Sequence, residues 1–536
     1  MAANLINHPT VEAIVPKGLE TTPVLEEHLR FEFGKISKQS IVFFAGTVFT
    51  IGSQYVFKVY LARTLGASLL GLAALGASLV ALTQIFAQLG LPRTAGRFVA
   101  AYAGTARFDL LRGFLWRSLG IVILVSSIIG GLVAAGRGLI SEHFYNEPAL
   151  SQYLPLFALL VPLGAVSTLF VQYLGGYQDV SKRTVVNSFI GTTATMLITV
   201  VLFNAGWRLN GYIAAQVLSA ALTLILMAGL IWRLTPAPSR NLGRGLPDLD
   251  QEVIGFTAAM FGISVLEFLL LQADRIVLGA YVSAAQVGVY AVATTGSALI
   301  PMLLQSVNSI FGPVIADLHA RGDRALMGRL FQILTKWVLG LTFPLVAVIL
   351  LFARPLMGIF GKEFELGWPV LAVGVLGQLV NCATGSVGFL LMMTGNQKKL
   401  IKVQAVTGIA MLGLNVALIP IWGVMAAAVV GAAVTVVTNL LYLAGVKRVL
   451  GMSPYNRGYL RLAGPISASL AAAWIVHRFA SAGTYQQLAG IVIALVLSYS
   501  VFIIAALSLS LDQDDRMLTA AFAVRMRALW RAGGER

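Results

Sequence analysis

A few polar side chains stand inside long apolar runs, where they are costly to keep and can do chemistry. Lys58 has Gln54 one turn before it; Glu267 lies in the middle of another run, and Asp274 and Arg275 lie near that run's far end. Gln378, Asn381 and Thr384 form a polar stripe at helical spacing. A charge at membrane depth costs several kcal/mol or is met by a partner or a water-filled cavity, so each is a candidate for function. Lys58 and Arg275 suit an anion: arginine can hold a phosphate bidentately, and lysine acts as a point charge. Glu267 and Asp274 are candidates for coupling to a proton or cation, and their spacing of seven puts them on one face if the helix is continuous. Gln54, Gln378 and Asn381 are candidates for substrate contact. The plain alternatives are an interfacial Asp274–Arg275 pair that snorkels to water and amides that only bond neighbouring helices.

Other chemistry is missing. The single cysteine, Cys382, rules out a disulfide framework, and five scattered histidines make no cluster with metal-ligand spacing. No Gly-x-x-x-x-Gly-Lys-Ser/Thr segment encodes an ATP loop, so no cofactor is expected and transport would run on a gradient or a partner. A membrane-embedded glycan polymerase or transferase would need catalytic groups on a large loop. The outer loops are short, and their one acidic cluster, Glu142, His143 and Glu147, is expected to be solvated.

The elements that position these residues follow from composition. Of 536 residues, 58% are hydrophobic and 11% charged, against about 25% charged in soluble domains. A bilayer can absorb that apolar surface. The expected fold is an all-α polytopic membrane protein of about fourteen transmembrane helices, near 41–62, 67–90, 114–135, 154–174, 185–204, 212–232, 254–278, 287–312, 330–352, 368–392, 403–421, 425–445, 460–477 and 488–510. The first 39 residues are polar and do not have the pattern of a cleavable signal peptide.

The net charge of +16 comes from loops rather than a nucleic-acid surface. With the N-terminus inside, 30 of the 38 lysines and arginines fall on cytoplasmic segments, which places both termini in the cytoplasm. The loop Thr235 to Glu252 holds three prolines and reads as a linker. Residues 517–531 mix apolar residues with Arg525, Arg527 and Arg531, as an interfacial amphipathic helix or a basic tail would.

The chain also repeats. Leu61, Gly71 and Ala74 recur 217 positions later as Leu278, Gly288 and Ala291, and Lys58 maps onto Arg275 at the same separation. Gly176-Tyr-Gln178 and Gly395-Asn-Gln397, and then Trp207 and Trp422, keep that register within two residues. Six helices per repeat give two lobes of one orientation, related by an axis along the membrane normal, with a site between them. The organisation is a tail (1–39), a first lobe (40–234), a cytoplasmic linker (235–253), a second lobe (254–450), two accessory helices (451–510) and a basic tail (511–536). Pro301, near the middle of the eighth span, is a candidate hinge.

Four motifs carry a family resemblance: Leu61-Ala-Arg63-Thr-Leu-Gly66 with Gly71; Asp274-Arg275-Ile-Val-Leu-Gly279 with Val287-Gly288-Val-Tyr290; Leu391-Met-Met-Thr-Gly395-Asn; and Asn415-Val-Ala-Leu-Ile-Pro420 with Gly423 and Ala426-Ala-Ala428. In order and spacing the chain resembles the oligosaccharide flippase (polysaccharide biosynthesis protein) family of the MOP exporter superfamily, over about residues 40 to 450 and most strongly in the second half. The resemblance implies a two-lobed bundle that alternates access. It also implies a polyprenyl-diphosphate-linked oligosaccharide as substrate, moved across a bacterial inner membrane among membrane lipids and polysaccharide polymerase or assembly proteins. Lipid II flippases and multidrug antiporters of the same superfamily are alternatives. A major facilitator is disfavoured, because Gly90-Leu-Pro-Arg-Thr-Ala-Gly-Arg97 lacks the acidic residue of that class's loop. A non-transporting scaffold would keep its function after Lys58, Glu267 and Arg275 were neutralised.

Overall fold

In hydrocarbon every backbone N–H and C=O must be satisfied within the segment, so apolar runs of this length become helices. A computed structural model describes residues 23–177, 179–240, 250–456, 458–480 and 484–509, and among these there is no strand. The first six spans are built from α1 (Pro23–Gln88), α2 (Leu91–Gly104), α3 (Phe108–Ala135), α4 (Leu154–Gly176), α5 (Val180–Thr184), α6 (Thr192–Asn204) and α7 (Arg208–Leu234), followed by the short α8 (Ala237–Arg240). The next six use α9 (Gln251–Leu271), α10 (Ala273–Tyr281), α11 (Ala284–Ser297), α12 (Met302–Ala320), α13 (Arg324–Leu351), α14 (Ala353–Gly358), α15 (Trp368–Thr384), α16 (Val387–Met393), α17 (Gln397–Trp422) and α18 (Val424–Leu450). After α19 (Gly458–Arg461), a terminal hairpin, α20 (Ala463–Phe479) and α21 (Thr484–Leu509), packs on α13.

Twelve described helices are long and apolar enough to cross a membrane, and a bent pair makes a thirteenth. The longest, Phe49–Gln88, is two spans. Gly66 (φ 77, ψ 174) interrupts it, and Thr50 and Gln84 line one cavity. A straight helix would set those two residues about 50 Å apart. Counted this way, the described residues make about fourteen crossings. Residues 23–39, expected as polar tail, already belong to the helix that enters the first span. The expected amphipathic stretch 517–531 and most of the linker lie outside the described residues.

Three breaks place polar groups. At Gln272 (φ −138, ψ −15) the seventh span divides into α9 and α10. Glu267 and Asp274 therefore do not share one helix face, as their spacing alone had suggested. Beside Pro301 the eighth span bends by 49° between α11 and α12. At Gly385 (φ 69) the tenth span divides into α15 and α16, and a side chain there would strike Thr335.

Lipid tails are as apolar as leucine, so helices in a bilayer associate where small residues let backbones approach. The two lobes join in that way. Ala67 and Gly71 open the second span, and Ala284 and Gly288 open the eighth. A Cβ on Gly71 would overlap the Ala284 carbonyl, and one on Gly288 would overlap that of Ala67. One buried cluster runs through this seam, from Leu61, Leu70 and Leu75 to Val277, Leu278 and Val287. The seam lies at the end opposite the Lys- and Arg-rich loops, the outer end in the expected orientation.

Candidate functional site

Within the first lobe, against the seam, is a cavity of about 690 Å³. Its walls are the first and second spans, α4, the helical turn Val185–Gly191 with α6, and α7. The second lobe adds Arg275 and Ala291. Gln54 and Lys58 face the same space, which the outer seam closes at Leu61 and Leu70. Among the described residues the lining contains two cations and no carboxylate; the remaining polar groups are hydroxyls and amides such as Thr195, Tyr212 and Gln216.

The cations are held rather than snorkelling. Lys58 Nζ donates to the Ala291 carbonyl at 2.9 Å and to Thr295 Oγ1, both on the opposite lobe. An ammonium has three N–H groups, so one is left for a ligand. Arg275 Nη1 donates to Gln272 Oε1 at 3.2 Å, and its buried Nε has no hydrogen-bond partner. The adjacent Asp274 turns its carboxylate to other donors. One Asp274 oxygen accepts from the Arg275 backbone N–H at 2.8 Å, and the other accepts from the Tyr290 hydroxyl. Asp274 thus ties α10 to α11 within the second lobe.

Gln378 and Asn381 are elsewhere. Asn381 Nδ2 donates to Gln378 Oε1 at 3.0 Å on α15, outside the lining of this cavity, and Thr384 reaches Asn439 on α18 at 3.4 Å. Their helical spacing gave a face but could not say that the face lies off this cavity. Gln84, Asn187 and Gln216, which the sequence reading did not select, do line the cavity. Their signal was the same as that of Gln54, an amide within an apolar run.

Glu267 pairs with Arg93 of α2, both about 40% exposed. Below that pair, Arg97 bonds Glu252 at 2.9 Å, Thr257 Oγ1 donates to Thr94 Oγ1 at 3.1 Å, and the Tyr102 hydroxyl donates to Asp250 at 3.4 Å. Burial, then the Asp250 carboxylate, push the Tyr102 hydroxyl up, so it stays a protonated donor. The inner half of the seventh span is thus tied to the first lobe, while its outer half is tied to the second.

A two-lobed, multi-pass helical membrane bundle, with a cationic cavity in its first lobe that the second lobe reaches through Arg275 and Ala291, defines the class. Residues 36–319, more than half of the chain, match the family model for polysaccharide biosynthesis proteins, and the chain belongs to that family. The match covers the first lobe and the start of the second, so the motifs at 391–396 and 415–428 lie beyond it. The chain is 21% identical over 414 residues to the probable low-salt glycan biosynthesis flippase Agl15 of Haloferax volcanii, covering 76% of this chain and 82% of that one. In fold it is similar to the lipid II flippase MurJ in an inward closed conformation (TM-score 0.66, 14% identity, 86% and 98% covered). It is also similar to an inward-facing multidrug resistance MATE family transporter of the MOP superfamily (TM-score 0.59, 12% identity, 74% and 94% covered).

Proposed function

We propose that this chain is a flippase for a polyprenyl-diphosphate-linked oligosaccharide, moving it from the cytoplasmic to the outer leaflet of a bacterial inner membrane by alternating access. The observation that carries the proposal is the pair of cations from opposite lobes on one cavity without a carboxylate. A cation that faces a cavity without a carboxylate at this depth is retained against a cost of several kcal/mol, and an anionic ligand supplies a matching charge. The orphan Nε of Arg275 and the third N–H of Lys58 are donors for diphosphate oxygens, while the hydroxyls and amides of the walls suit sugar hydroxyls. Because the cations come from both lobes, a bound diphosphate would tie lobe motion to substrate. Agl15's description as a glycan biosynthesis flippase supports the glycan, and the likeness to MurJ keeps lipid II as the second reading.

For coupling, we assign Glu267 the gradient-dependent role. A proton or cation that takes this carboxylate releases Arg93, and with it the tie between α9 and the first lobe. Asp274, occupied by Tyr290, is the weaker candidate.

The test is translocation of a fluorescent polyprenyl-diphosphate oligosaccharide in vesicles containing the purified chain. Protein-dependent movement is expected for the diphosphate lipid and not for a polyprenyl glycoside lacking phosphate. Movement of neither above protein-free vesicles would refute the proposal, and equal movement of both would remove the phosphate from recognition.

A further inference from the structure

The first N–H groups of a helix have no partner within it and are usually met by the side chain of the residue just before. The two helices that form the outer seam lack that local cap. Gly66, before Ala67, has no side chain, and Ser283, before Ala284, makes no side-chain cap bond. Each is served instead from the opposite lobe. The Ala284 N–H donates to Glu147 Oε1 at 2.6 Å, and the Ala67 N–H donates to Glu363 Oε1 at 2.8 Å.

The two contacts are counterparts. Ala67 and Ala284 are 217 positions apart, and Glu147 and Glu363 are 216 apart. Glu147 precedes the short turn Pro148–Leu150 in the loop after the third span, and Glu363 lies in the turn Lys362–Gly367 in the loop after the ninth. Each lobe therefore extends one outer loop over the other and places a carboxylate on a helix N-terminus, where the helix dipole favours negative charge. The Glu363 side has one more tie, since Arg63 Nε donates to the Ile359 carbonyl at 2.7 Å. Glu147, expected to be a solvated loop residue, is a contact between lobes.

We propose that Glu147 and Glu363 are a reciprocal latch that holds the outer end of the lobes shut, and that both contacts break in the same step when the cavity opens outward. The inference rests on the alternating-access reading. Both contacts span the same seam as Gly71 and Gly288, so separating the lobes breaks both bonds. Water at the outer end can solvate the freed carboxylates and N–H groups, which keeps the latch reversible.

The experiment reads lobe separation directly. Spin labels at Arg137→Cys and Tyr281→Cys, exposed outer positions on the two lobes, are placed in a Cys382→Ala chain, and their distance distribution is measured by pulsed electron spin resonance in nanodiscs. Glu147→Ala and Glu363→Ala are each expected to raise the open-to-closed ratio about tenfold, a charge-assisted hydrogen bond being lost in each. The double variant should multiply the two effects. Glu147→Gln and Glu363→Gln keep an acceptor oxygen and the side-chain shape, so they should fold and shift the ratio less. Glu142→Ala, in the same loop and exposed, should leave the distribution unchanged. An unchanged distribution in the folded double glutamine variant and in the alanine variants overturns the latch, even if the wild-type chain moves lipid. A shifted distribution in a chain that moves no lipid supports the latch and removes the flippase reading instead.

Discussion

Gly71 and Gly288 meet across the lobe interface, and a Cβ built on Gly288 would lie 3.0 Å from the Gly71 backbone nitrogen. They are 217 positions apart, the offset of the sequence repeat, and an axis relating the two repeats would pass close to them. The outer seam is therefore closed by backbone contact, with side chains on either side of it.

That contact predicts a steric effect. Gly71→Val should prevent the outer seam from closing, because the added carbons overlap the Ala284 carbonyl and backbone cannot yield as a side-chain tip can. Overpacking of this kind costs about 1–3 kcal/mol. The expected outcome is a lower melting temperature in detergent together with a longer distance between outer labels. A variant with wild-type values of both would show that the close approach is not needed.

The cationic pair predicts a charge effect. Lys58→Ala and Arg275→Ala, at matched protein levels, should each lower translocation of a diphosphate-linked lipid about ten- to a hundredfold, the range set by losing a hydrogen bond to a charged group. Lys58→Arg should keep part of the activity, because the charge is retained while the bonds to Ala291 and Thr295 change. Full activity in both alanine variants would place these residues outside the mechanism.

The Arg93–Glu267 pair predicts a rescue. Its half-exposed side chains make it worth about 0.2–1 kcal/mol for stability, so neither Arg93→Glu nor Glu267→Arg should unfold the chain. Each reversal should slow transport, and the double swap should restore it in part. Glu267→Gln should uncouple transport from the imposed gradient. Unchanged gradient dependence would leave Glu267 a purely structural tie between α2 and α9.

Orientation has its own measurement. Reporter domains fused at Glu147 and at Arg531 should report opposite sides of the membrane, with the tail inside, from the 30-to-8 split of basic residues. A signal from outside at the tail would invert the orientation and make the seam the inner end.

The sequence by itself determined the membrane class, the helical fold, the approximate number of spans and the two-lobe repeat. Bilayer thickness fixes the length of an apolar run, and a duplicated bundle keeps its spacing even where side chains diverge. It also singled out Lys58 and Arg275, since a charge in an apolar run is visible without knowing its surroundings. Only the tertiary structure decided where each polar residue points and what it meets. A single irregular residue at Gln272 separates Glu267 from Asp274, and no periodicity reports such a break. Gln378 and Asn381 turned to each other, while Gln84, Asn187 and Gln216 turned to the cavity, because the rotation of each helix about its axis is set by packing against neighbours. Glu147 looked like any loop acid until the fold carried it to the uncapped end of Ala284, 137 residues along the chain. A contact of that span is made by the assembly of the two lobes and leaves no local mark in either segment.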